Sequence, residues 1–380
     1  MAAELSSVKK ITHTRLRDKP WFTPLVGLVG LLIIWIVLNW VISGQTLWDW
    51  LLHGVWQCQG KCVVDMVGQT LRRMTPIAFA ALCGVMCERA GVVDIGIEGK
   101  MLMAAMVGYA VNLFSYQALL AGGMPTPDAA NIARILALIA AIIGTLPLAA
   151  LHAAISINIK ADQIISGTVV NILAIGITGY FYRQFLAQNV PPGPGTFPIM
   201  NIAGLESINF LGIGPIFFQQ KPLTYMMLIS VILIWYILYF TPWGLRTRAV
   251  GEHPRAADTL GINVSKMRWT NVMLGGVLAA LGGAWFTLES VDVFTPLMTN
   301  GLGFIGLAAM IFGKWNPFGA VIGAFIFGLG DSVTTSLSIS RPDIPSQIPQ
   351  MLPYILTIVV LTGIVGRAIA PAADGTPYEK

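Results

Sequence analysis

Long apolar stretches separated by short polar ones run through this chain from residue 22 onward, and the pattern predicts a bundle of membrane-spanning helices. A helix needs about 20 mostly apolar residues to cross a bilayer. Ten stretches are candidates, near 22–43, 72–88, 99–116, 132–156, 163–182, 222–241, 268–288, 302–313, 316–336 and 348–366. The predicted fold is an all-α integral membrane protein with about ten transmembrane helices.

Composition and charge placement refine this prediction. The chain is 55% hydrophobic and 11% charged, against roughly 25% charged residues in soluble domains. If the N-terminus is cytoplasmic, most of the 23 Lys and Arg residues lie on that side, as the positive-inside rule requires. Both termini are then cytoplasmic. The expected parts are a cytoplasmic N-terminal segment 1–21, a transmembrane domain 22–368 with an external loop 183–221 and an internal loop 242–268, and a cytoplasmic tail 369–380, in which residues 371–380 are expected to be disordered.

The internal loop carries the most informative polar segment, GEHPRAADTLG at 251–261. Pro254 suits the first position of a helix, and Gly261 suits the position just past its end. Ala256 and Ala257 between them are small enough for another protein surface to approach closely. A short capped helix on the basic side of a membrane protein predicts a docking element for a soluble partner.

A weak internal repeat adds to the fold prediction. Gly99, followed after four residues by Ala104-Ala105-Met106, recurs as Gly303 followed by Ala308-Ala309-Met310. The predicted topology runs the two copies in opposite directions, which would make an inverted repeat of the kind that transporters use. Four matches among small apolar residues are also compatible with chance.

Motifs for catalysis, nucleotide binding and metal binding are missing from the sequence. The nearest approach to a phosphate loop has Asp94 at the first glycine and Met101 at the Ser/Thr position. The four histidines have no metal-ligand spacing, and no basic cluster interleaved with aromatics points to nucleic acid. We therefore expect no enzyme activity, cofactor, metal or nucleic-acid partner. Asp94 and Glu98 are expected to cap the helix that follows them.

Three segments resemble a known family: ERAGVVDIGIEGKMLMAAMVG at 88–108, GEHPRAADTLGINV at 251–264 and GFIGLAAMIFGKWNPFGA at 303–320. They are similar to permease subunits of bacterial ABC importers, in the branch for nucleosides and ribose-like simple sugars, which is related to branched-chain amino acid permeases. The resemblance implies a multi-pass protein of the bacterial inner membrane. It also implies a second permease subunit, cytoplasmic ABC ATPase subunits that hydrolyse ATP on separate chains, and an external solute-binding protein, with membrane lipid around the bundle.

The resemblance also suggests site residues. For coupling to the ATPase we expect the residues around the helix at 254–260: Glu252, Pro254, Arg255, Ala256, Ala257 and Gly261. Arg255 stands where related importers carry a Glu, so its charge partner is expected to differ. For the translocation path, Ser166, Thr168, Asn171 and Phe304 are candidates, although the polar ones could equally bond to a neighbouring helix. The alternative function is a self-sufficient secondary carrier or channel for small polar solutes; a membrane scaffold is a further alternative.

Overall fold

The computed structural model describes residues 61–187, 191–201, 213–340 and 368–379, with single residues at 347, 351 and 355. The predicted span 22–43 lies outside the described residues, as does 348–366 apart from two isolated positions. The described helices are α1 Lys61–Glu88, α2 Ile97–Ala121, α3 Thr126–Ala153, α4 Gln163–Phe181, α5 Ile213–Phe218, α6 Pro222–Phe240, α7 Pro242–Glu252, α8 Pro254–Thr259, α9 Val264–Trp285, α10 Leu302–Phe312 and α11 Pro317–Ser340.

Short π-helical turns extend three of these helices, at Ala154–Asn158 after α3, Tyr182–Leu186 after α4 and Phe286–Ser290 after α9. Two-residue strands, β1 Met200–Asn201 and β2 Gln219–Gln220, pair antiparallel. The described residues are therefore mostly helical.

Six helical segments are long and apolar enough to cross a membrane: Ile97–Ala121, Thr126–Asn158, Gln163–Leu186, Pro222–Phe240, Val264–Ser290 and Pro317–Thr335. Each coincides with a span predicted from the sequence. Local signals set their starts, since the Asp162 side chain accepts hydrogen bonds from Ile164 N and Ile165 N at 2.8 and 3.0 Å, and Asn263 caps α9 in the same way. Helix α1 begins eleven residues before the predicted 72–88. The total of ten spans and the side of each terminus stay predictions.

One predicted span has a different form. The segment 302–313 is the 11-residue helix α10, which is about 16 Å long and covers half of a bilayer core of about 30 Å. The chain before it, from Val291 to Gly301, is not helical. Residues 291–301 and α10 together lead from the end of the bundle that holds Ser290 to the end that holds Glu88. The predicted bounds 302–313 agree with α10, but this helix alone is too short to cross a bilayer. Residues 291–312 are called the broken span below.

Helix α1 lies at the centre of the described bundle and packs against α9, α10 and α11. Small residues allow these helices to approach closely. A Cβ added to Gly306 of α10 would lie 2.3 Å from the Cβ of Ala80, and one added to Gly283 of α9 would lie 2.1 Å from the carbonyl oxygen of Met101. Backbones can pack this tightly only without a side chain, as in other membrane helix pairs.

The C-terminal segment differs from its prediction. Residues 371–379 fold back on the bundle rather than extending freely. Ala373 N donates to Gly251 O at 2.9 Å, and Arg268 Nη1 donates to Thr376 O at 2.8 Å. The prediction of a disordered tail is wrong for these residues, because backbone groups of distant segments bind it.

Candidate functional site: the loop helix and the broken span

The predicted capped helix in the 242–268 loop is present as α8. Pro254 occupies its first turn, where the missing N–H leaves no hydrogen bond unmade. Gly261 has φ +80°, and Ile262 N donates to Ala257 O at 3.1 Å to close the last turn. A Cβ on Gly261 would meet nothing within 4 Å. Only the left-handed backbone therefore demands glycine here.

The predicted coupling residues divide between two faces of α8. Ala257 is 2% exposed and packs on Val250, Val264 and Met267 of the protein's own chain. Ala256 and Arg255 are exposed. The face that a partner could touch is therefore that of Ala256, while Ala257 holds α8 to α7 and α9.

Two further residues shape this surface. Glu252 is exposed, and its carboxylate accepts a hydrogen bond from Ala372 N at 3.2 Å. Leu260, at the end of α8, is 81% exposed, and sequence reasoning missed it. The sequence did contain a signal for this exposed residue, because Leu260 is an apolar residue in a polar loop and directly precedes the glycine that was predicted to end the helix.

The second feature is the start of α10 inside the bundle. The Glu98 carboxylate accepts hydrogen bonds from Gly301 N at 2.8 Å and from Gly303 N at 2.7 Å. A negative charge at a helix N-terminus is stabilised by the unpaired N–H groups and the helix dipole. Glu98 therefore caps α10, a helix far away in sequence. The expectation that it caps the helix that follows it is wrong, since no side chain caps the start of α2.

This junction lies well inside the bundle. Gly99 N donates to the Asn171 side-chain oxygen at 2.8 Å, and Asn171 is eight residues into α4, which begins at Gln163. At 1.5 Å per residue, the junction is about 12 Å from the end of the bundle where α4 starts. A charged side chain at that depth is costly and is usually functional.

Of the four predicted path residues, Asn171 and Phe304 adjoin this junction, and Ser166 and Thr168 have other contacts. Ser166 is buried, with its hydroxyl 3.0 Å from His152 Nδ1. Asn171 bonds to Gly99 N and donates to Ile95 O at 3.0 Å. For these two, the structure shows the bonds to neighbouring helices that the sequence left open as an alternative. Thr168 is exposed, and Phe304 is 45% exposed on the first turn of α10.

A buried charged cluster adjoins the junction. Lys100 Nζ contacts the Asp94 carboxylate, and both side chains are fully buried. His152 Nε2 lies 3.7 Å from the other carboxylate oxygen. Burial alone would raise the pKa of Asp94, but the Lys100 ammonium and His152 bring this pKa below its ordinary value. Cys87 Sγ is 3.5 Å from the same carboxylate. Asp94 therefore pairs with an ammonium instead of capping α2.

A polar cavity of about 220 Å³ opens at the opposite end of the bundle from α8. It is lined by Gln69, Arg72, Arg73, Lys221, Trp285, Glu289 and Ser290. Burial lowers the pKa of the Lys221 ammonium, and neighbouring Glu289 opposes this shift. Arg73 pairs with Asp331 at 3.3 Å. Cations therefore dominate the lining.

The sequence of this chain is similar to those of known proteins. Residues 66–361 match the protein-family model described as "Branched-chain amino acid transport system / permease component". The chain is 42% identical over 319 residues to the guanosine ABC transporter permease protein NupQ of Bacillus subtilis (strain 168), across 83% of this chain and 96% of that protein. It is 40% identical over 324 residues to the nucleoside ABC transporter permease protein NupC of Lactococcus lactis subsp. cremoris (strain MG1363), across 83% and 96%.

A third relative carries a different solute in its name. The putative glucose ABC transporter permease protein TsgC13 of Haloferax volcanii is 32% identical over 321 residues, across 80% of this chain and 92% of that protein. These matches and the six helices long enough to cross a membrane indicate a multi-pass membrane protein. The chain belongs to the branched-chain amino acid transport system permease family.

Proposed function

We propose that this chain is the permease subunit of an ATP-driven importer in the bacterial inner membrane and that its solutes are nucleosides. One observation carries the proposal: α8 is an ordered, capped helix at one end of an apolar bundle, and Leu260 beside it is 81% exposed. An exposed apolar residue in a polar loop favours a protein partner. ATP hydrolysis belongs to a separate cytoplasmic ATPase, since this sequence has no phosphate loop.

The names of the two most similar relatives described above support the solute class. Both are nucleoside or guanosine permeases at 40–42% identity, whereas the glucose permease is 32% identical. Nucleosides are therefore the first choice and simple sugars the second. The other expected partners are a second permease subunit and an external solute-binding protein.

In the proposed mechanism, α8 sits in a groove of the ATPase and follows its closure when ATP binds. Helix α7 leads directly into α8, and α9 follows it, so a displacement of α8 moves both. Ala257 transmits this movement through its packing on Val250 and Met267. Ala256 and Arg255 face the partner.

The broken span is the proposed moving part of the path. Glu98 lies directly before the first copy of the candidate inverted repeat and caps α10, which carries the second copy. Glu98, Thr168 and Phe304 then face the solute path.

Uptake by cells tests this proposal. A strain that lacks the chain should lose ATP-dependent uptake of radiolabelled guanosine while its glucose and leucine uptake stays normal. Leu260→Ala should lower guanosine uptake by about tenfold, because the truncation of a central interface residue costs about 1–2 kcal/mol of binding. Leu233→Ala, at a leucine that is 52% exposed on α6, is the matched control. Loss of glucose uptake instead would reassign the solute, and uptake by this chain alone would mean a self-sufficient carrier.

A further inference from the structure

We propose that the C-terminal segment 371–379 and α8 form one continuous docking surface for the cytoplasmic ATPase. This inference rests on the proposed function and adds a second part of the chain to the coupling site. The tail is not a loose end, since its contacts tie it to three separate parts of the inner end of the bundle.

The first set of contacts joins the tail to the loop that carries α8. Ala373 N donates to Gly251 O at 2.9 Å, and Ala372 N donates to the Glu252 carboxylate at 3.2 Å. Both acceptors belong to the last turn of α7, directly before α8. The tail backbone is therefore fixed beside α8.

The second set anchors the tail in the bundle. Arg268, the fifth residue of α9, is 1% exposed and donates to Thr376 O at 2.8 Å and to Ala373 O at 3.4 Å. The Asp374 carboxyl lies beside the Glu88 carboxyl at the end of α1. A buried guanidinium that finds its acceptors in the tail backbone would lose them if the tail detached, and such a loss is costly.

The third set places the end of the tail on α8. The Tyr378 ring packs on the apolar cluster of Val250, Ala257, Val264 and Met267, and its hydroxyl lies beside the Asp258 carboxyl. Two grooves flank Tyr378. One, of about 660 Å³, is formed by 253–256 and 376–379, and the other, of about 510 Å³, by Lys160, Asp258, 261–265 and Tyr378. The tail forms one wall of the larger groove, and α8 forms the other.

The chemistry of this surface favours a protein partner. Leu260, Pro254 and Pro377 are apolar, and Tyr378 is an aromatic side chain of the kind enriched in interface cores. Charges of both signs surround them, namely Arg255, Asp258, Lys160 and Glu379. Membrane headgroups and nucleic acid would instead select a surface of one positive sign. A surface whose backbone is already fixed also loses little entropy on binding.

The test measures how much ATPase the tagged permease complex retains after purification in mild detergent from cells that express all subunits. Pro377→Arg fills the larger groove from an exposed position, and Tyr378→Ala removes the ring between the grooves. Each should lower the retained ATPase at least fivefold. Tyr378→Phe keeps the ring and should retain ATPase near the wild-type amount. Tyr236→Ala, at a tyrosine that is 56% exposed on α6, is the control and should have no effect.

Each outcome has a separate meaning. A Pro377→Arg complex with wild-type thermal stability but little ATPase supports the docking surface. Wild-type retention in both Pro377→Arg and Tyr378→Ala would overturn the inference and leave the proposed function standing. The third outcome is that the wild-type complex retains no ATPase, while the control chains Leu233→Ala and Tyr236→Ala show that the protein is stable in the membrane. In that case the proposed function itself fails.

Discussion

Replacement of Glu98 by alanine is predicted to release the start of α10 inside the bundle. The carboxylate accepts hydrogen bonds from Gly301 N and Gly303 N at 2.8 and 2.7 Å. A buried donor left without its acceptor costs roughly 1–3 kcal/mol. We expect the free energy of local opening at Gly301 and Gly303 to fall by this amount. Since 1.4 kcal/mol corresponds to a factor of about ten, hydrogen exchange of the two amides should become about 5 to 150 times faster.

Hydrogen–deuterium exchange of the purified complex, read on a peptide that covers 298–306, measures this effect. Glu98→Gln keeps one acceptor oxygen and should give an intermediate rate. Glu252→Ala, which removes an exposed carboxylate, should leave the peptide unchanged and serves as the control. Unchanged protection of Gly301 and Gly303 in Glu98→Ala would refute the conclusion that Glu98 holds the broken span.

Three more predictions concern packing, backbone strain and pH. Gly283→Ala would place a Cβ 2.1 Å from Met101 O and should destabilise the complex by about 1–3 kcal/mol in thermal unfolding, whereas Gly176→Ala meets nothing within 4 Å and should not. Gly261→Val should strain the left-handed turn by about 1–2 kcal/mol and reduce uptake with normal membrane insertion; full uptake would contradict this. Burial raises the pKa of Asp374 to about 6. The docked tail is therefore most stable at low pH, where the Asp374 carboxyl is protonated, and its docking weakens as the pH rises through 6. A spin label at 379 should become more mobile from pH 5 to pH 8, and Asp374→Asn should remove that dependence.

Local signals explain why α8 and most spans were predictable from the sequence. Pro254 and Gly261 act on the turns that contain them, and the apolar length of α3, α6 or α9 reports directly on a crossing helix. The predicted span boundaries near these segments agree with the observed helices to within several residues.

The broken span was not predictable in the same way. Hydropathy averages over residues 302–313 and gives the same value for a short helix as for part of a long one. The helix begins at Leu302 because Glu98 caps it there, and that contact joins segments that are far apart in sequence.

The tail shows a similar limit. Its composition, with Pro371, Gly375 and Pro377, is typical of a disordered end. The contacts that order it come from Arg268 and Gly251, which the tail sequence does not reveal. Burial of Ala257 was missed for a related reason, because two adjacent alanines in a short helix give no sign of which one faces the core.

Transport by the reconstituted complex tests the central claim most directly. Proteoliposomes that contain this chain with its co-purified subunits, supplied with the external solute-binding protein, should accumulate radiolabelled guanosine only when the ATPase has ATP. Liposomes with this chain alone should accumulate none. Guanosine accumulation by this chain alone, or by the full complex without ATP, would contradict the account and assign the chain to the self-sufficient carriers.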